Sequence, residues 1–63
     1  MWYNVVFMRE GEKQSQPVRN IKDAVKIGLK YEKDFIAIKD CESGVVYDKI
    51  VDINNKKMFV KLI

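Results

Sequence analysis

A two-layer α+β fold, with one helix laid across a mainly antiparallel sheet in the order β-(β)-α-β-β-β, is what this sequence predicts. Three observations predict it. Runs of β-branched and aromatic residues recur before and after a single central stretch of helical periodicity. Polar clusters containing Gly or Asn separate those runs at hairpin spacing. A chain of 63 residues has room for one small domain, 1–63, whose elements must bury their apolar sides against one another.

Trp2, Tyr3, Val5, Val6 and Phe7 make the first strand, which ends at Glu10-Gly11-Glu12, where a glycine between charges reads as a turn. Gln14 to Arg19 returns as its hairpin partner. Pro17, which has no amide hydrogen, confines that second strand to an edge and is why it stands in parentheses. From Ile21 the period changes. Ile21, Ala24, Val25, Gly28 and Leu29 fall at i, i+3, i+4, i+7 and i+8, the stripe of a helix on a core. Asn20 is placed to cap it and Asp23 to complement the dipole of its first turn, with fraying expected around 32–34. Gly28 lies inside the stripe, where alanine would favour the helix by about 1 kcal/mol. A close approach to a bulky residue, Phe35 or Tyr47, is the reading that accounts for it.

Phe35 to Lys39 is extended again, and Asp40-Cys41-Glu42-Ser43-Gly44 supplies a turn with a glycine suited to positive φ. Val45 to Ile53 reads as one returning strand, Asn54 to Lys57 as a second turn, and Met58 to Ile63 as the last strand.

Composition sets the limits on function. The 48% hydrophobic and 33% charged residues are those of a folding chain, and a net charge of +3 is a mild bias toward acidic partners. A single cysteine, Cys41, allows no internal disulfide, which favours a reducing, cytoplasmic setting. No apolar run approaches the roughly 18 residues that would cross a bilayer, so no membrane association is expected.

With no histidine, the commonest general base and most zinc sites are missing. Cys41 sits between Asp40 and Glu42, neighbours that disfavour a thiolate, and Ser43 has no base to activate it. Asp40 and Glu42 lack the spacing of a calcium loop. Gly11, Gly28 and Gly44 are too far apart to cradle phosphate, so nothing calls for a cofactor or for enzymatic activity.

Two surfaces remain. Alternation puts Trp2, Val6 and Met8 on the face of the first strand opposite Tyr3, Val5 and Phe7, and one helix covers only one of these faces. Trp2, Val6 and Met8 are therefore the expected protein interface, most simply that of a homodimer. Lys22, Lys26 and Lys30 stand at i, i+4 and i+8 and, with Lys33, form a basic ridge on the helix face away from the core. Such a ridge is either a solvated face or a surface for an anionic partner, nucleic acid included. The expectation is thus a non-catalytic interaction module, an accessory or regulatory protein of a bacterium or phage that self-associates and binds another macromolecule. The alternative is a nucleic-acid-binding protein using the ridge.

Overall fold

The computed structural model describes residues 2–42 and 44–62; the turn role expected of Ser43 lies outside them. The chain runs β1 (Tyr3–Arg9), β2 (Glu12–Val18), α1 (Ile21–Lys30), a 3-10 turn (Glu32–Asp34), β3 (Phe35–Asp40), β4 (Gly44–Tyr47), β5 (Lys49–Ile53) and β6 (Lys56–Val60). One helix packs on a mainly antiparallel sheet, the expected α+β class and order. The strands form a four-stranded sheet, β2-β1-β3-β4, and a two-stranded sheet, β5-β6.

β2 forms along its whole length, pairing with β1 from Tyr3↔Val18 to Arg9↔Glu12. Glu10 and Gly11, at φ 53° and 79°, are the two central residues of the connection, the signature of a type I′ turn. A two-residue turn closes on a hydrogen-bonded pair, here Arg9 and Glu12. Alternation down the ladder then makes Asn4↔Pro17 a non-hydrogen-bonded pair, so Pro17 costs no ladder bond and removes an outward-facing donor from the edge.

Asn20 caps α1 as expected, its side-chain oxygen accepting from the Asp23 amide at 2.9 Å. Ala24 and Gly28 mark the buried axis of the helix. Ile21, Val25 and Ile27 flank it against the core, and Tyr31 continues it by stacking on Phe7 with centroids 4.1 Å apart. Leu29 departs from the expected stripe and is 39% exposed. At 100° per residue it lies roughly 120° from the Ala24–Gly28 axis. The core beneath the helix is Val5, Phe7, Val18, Ala24 and Ile38.

A Cβ on Gly28 would stand 2.8 Å from Phe59 Cε2 and 3.3 Å from Phe35 Cε1. The close approach is real, and its main partner is Phe59; Tyr47 reaches the site only through that ring, 5.8 Å from it. Val45 to Ile53 is two strands rather than one. The chain leaves the first sheet at Asp48, whose amide donates to the Val60 carbonyl at 2.9 Å and whose carboxylate accepts from the Leu62 amide at 2.9 Å. These bonds turn β5 toward β6 in place of a long β4.

Candidate functional site

The strand registers decide which side chains share the face of the four-stranded sheet opposite α1. Val5 and Ile38 pair with each other and are fully buried beneath the helix. Alternation therefore sends Asn4, Val6 and Met8 to the other face, together with their partners Pro17, Ser15 and Lys13 on β2 and Lys39 and Ala37 on β3. One step beyond β1, the carbonyl of Trp2 accepts from the Cys41 amide at 3.3 Å, which extends the ladder by a residue. The same register sets Trp2 opposite Arg19, and the guanidinium carbon lies 5.1 Å from the centre of the indole ring.

Trp2, Val6 and Met8 do lie on the uncovered face, but with unequal access. Trp2 is 47% exposed, Met8 is partly buried, and Val6 is only 5% exposed. Val6 is a short side chain in the middle of a central strand, flanked by β2 and β3 and by Asn4 and Met8 along its own strand. It has almost no surface to offer a partner. Basic residues accompany the tryptophan instead. Lys13, Arg19 and Lys39 are all exposed on this face, and among the described residues register puts no carboxylate between them. Sequence reading missed this set because its members are 6 to 26 positions apart; the two-residue turn at Glu10-Gly11 was the signal that could have paired Trp2 with Arg19.

Lys22, Lys26 and Lys30 are exposed and fall within about 80° of one another around the helix, on the side opposite Ala24 and Gly28. Lys33, in the 3-10 turn, is exposed as well. The ridge is interrupted at its end, where Lys30 Nζ lies 5.5 Å from the Tyr31 ring and Glu32 is engaged by Lys57. An open depression of about 290 Å³ lies there, lined by Leu29 to Asp34.

Lys57 carries both ion pairs found among the described residues, to Glu32 at 2.8 Å and to Asp52 at 3.3 Å. Its ammonium is raised above the ordinary value of 10.5, first by the hydrogen bond to Glu32 and then by that to Asp52. A raised cation pKa means that this contribution to stability is fully present at neutral pH and is lost as pH climbs past that ordinary value. The pair ties the β5-β6 hairpin to the end of the helical segment.

The outer face of that hairpin is apolar. Ile50 and Phe59 are opposite each other, and Phe59 points at Gly28 and Phe35. The alternate residues Val51, Ile53, Met58 and Val60 thus share the other face, where Ile53 and Met58 are 50% and 48% exposed. Among the described residues no group of three or more carboxylates and thiols could hold a metal ion. No helix of the described residues is long and apolar enough to cross a membrane. Compared with known proteins, the chain matches no family model, no curated protein and no solved structure.

Proposed function

We propose that this chain is a non-catalytic interaction module that self-associates and binds a second macromolecule, working in the cytoplasm of a bacterium or as a phage accessory or regulatory protein. The apolar outer face of the β5-β6 hairpin is the observation that carries the self-association. An isolated two-stranded hairpin is marginal in water, and this one leaves Ile53 and Met58 half exposed beside Val51 and Val60. A two-fold dimer would lay this strip on its own copy, with Lys49 and Lys56 at the rim. The hairpin serves this role better than Trp2, Val6 and Met8, because Val6 is already buried and the cations Arg19, Lys39 and Lys13 are strung along that face. At the outer edge of the four-stranded sheet, Pro17 and Lys13 discourage strand-to-strand pairing.

Sedimentation equilibrium at tens of micromolar tests the dimer. The expected result is a mass of two chains that falls toward one in Met58→Asp, a charge at the centre of the strip. A mass of one chain at every concentration would refute self-association. The alternative reading, nucleic acid held along Lys22, Lys26, Lys30 and Lys33, is supported by the exposure of all four and by the shared helix side of the first three. It requires that Lys26→Glu with Lys30→Glu abolish binding while leaving thermal stability nearly unchanged.

A further inference from the structure

We propose that the uncovered face of the four-stranded sheet is a platform for single-stranded nucleic acid, with Trp2 stacking an unpaired base and Arg19, Lys39 and Lys13 holding phosphates. This inference rests on the reading of the chain as a binding module and names the second macromolecule. The register brings together the half-exposed indole, the guanidinium beside it, and the exposed ammonium groups of Lys39 and Lys13. Lys39 shares the Asn4 row, two residues from Trp2 along the strand direction, and Lys13 lies six residues from Arg19, about 20 Å along an extended strand. The cations are thus strung along the sheet rather than gathered at a point, which suits a polyanion with a regular charge spacing. Asn4 and Ser15 add polar side chains on the same face.

Charge complementarity selects the occupant. A second copy laid face to face would set six cations against one another, with no carboxylate of the described residues among them to offset the repulsion. An acidic peptide would satisfy the lysines but leave the ring without a matching plane. A duplex stacks its bases on each other, whereas single strands expose π-faces that an aromatic ring at the surface can meet.

Trp2 is the chain's one tryptophan, so its emission reports on this face directly. The 63-residue chain is titrated with an oligothymidylate of about fifteen nucleotides, near the upper end of the site sizes of single-strand-binding OB folds. Emission is followed, and anisotropy of a fluorescein-labelled strand gives the affinity. Expected are quenching of Trp2 and a Kd of roughly 1 to 100 μM, in the range of non-specific binding. With three phosphates engaged, the slope of log K against log salt is about −2, so affinity falls about fifteen- to twentyfold between about 50 and 200 mM salt.

Trp2→Ala should weaken binding about tenfold, the lower part of the range for one stacked base. Lys39→Ala should reduce the slope by about 0.7, the share of one contact on a single strand. Both variants must keep the parent's circular dichroism; Lys39 and Lys13 are exposed, so Lys13→Ala provides a second charge variant if either fails to fold. Absence of binding, equal quenching by polyglutamate, or equal binding to a duplex overturns the proposal. Binding lost in Lys26→Glu with Lys30→Glu but kept in Lys39→Ala moves the site to the helix ridge and overturns it too. Trp2 emission that changes with protein concentration alone assigns this face to a second copy and has the same effect. A dimer by sedimentation without oligonucleotide binding refutes the platform and leaves self-association standing; binding by a monomer does the reverse.

Discussion

β1 and β2 form a hairpin turned by Glu10 and Gly11, and β5 and β6 form one turned by Asn54 and Asn55, whose φ of 51° and 65° make a second type I′ turn. Closed alike, the two hairpins are held differently. β1 is a central strand with Val5, Val6 and Phe7 buried, and it contacts β3 on its far side along most of its length. The second hairpin is a sheet of its own, attached through the Phe59 ring against Gly28 and Phe35, the Asp48 corner and the exposed Lys57 ion pairs. A hairpin's turn chemistry closes it; what the neighbouring elements supply decides how firmly it is held.

The largest expected contrast is between Phe7→Ala and Phe59→Ala. Phe7 is buried and stacked on Tyr31 at 4.1 Å, so its truncation should cost about 3–5 kcal/mol. For a chain of this size that is comparable to the whole stability of the core, and the variant should be unfolded at room temperature. Phe59 is only partly buried, and its loss should cost about 1–2 kcal/mol, a fraction of the full burial of a phenylalanine. Amide hydrogen exchange should then rise over Lys49–Ile53 and Lys56–Val60 while β1 and β3 stay protected. Equal destabilisation by both variants, with uniform loss of protection, would mean that the two hairpins unfold as one unit.

Gly28→Leu tests the hold on the second hairpin from the helix side. A Cβ alone would stand 2.8 Å from Phe59, so the larger side chain must displace that ring or lift α1. Overpacking of this kind costs roughly 1 to 3 kcal/mol, set against a gain of about 1 kcal/mol in helix propensity. Because the hairpin is the more weakly held of the two neighbours, the expected outcome is lost protection in β5 and β6 with α1 intact. A variant as stable as the parent would show that this close approach is not what requires glycine.

What could be read in the sequence follows the range of the forces involved. The helix was legible because its signals are local: the Asn20 cap with Asp23 three residues on, and a stripe through Ala24 and Gly28. Leu29 was misplaced because Tyr31, stacking on Phe7, pulls the buried axis to the other side of the stripe. The break at Asp48 was hidden, since Val45 to Tyr47 and Ile50 to Val51 are equally β-prone. The break is made by bonds to Val60 and Leu62, 12 and 14 residues away. Lys26 and Lys30 were visible as a ridge because helical spacing is short-range. Lys13, Arg19 and Lys39 became a surface only through pairing across three strands.

The smallest effect separates the turns themselves. Both central positions of a type I′ turn need positive φ, which asparagine and glycine tolerate and glutamate does not. Asn54-Asn55 meets that demand at both positions, whereas Glu10 holds φ 53° with a longer side chain that offers no local compensation. The strain at Glu10 is tolerated because the β1-β2 ladder and the core beneath it fix the register whatever the turn prefers. Glu10→Asn should therefore stabilise the protein by about 0.5–1 kcal/mol, less than the full left-handed penalty of 1–2 kcal/mol because asparagine also carries a Cβ. The reciprocal Asn54→Glu should destabilise the second hairpin by a similar amount, but there the cost should appear as local fraying, since little else holds that register. Urea unfolding measures the first and hydrogen exchange at Ile53 and Lys56 the second. If Asn54→Glu lowered global stability while leaving those amides protected, the second hairpin would be as firmly anchored as the first, and the distinction between the two would fail.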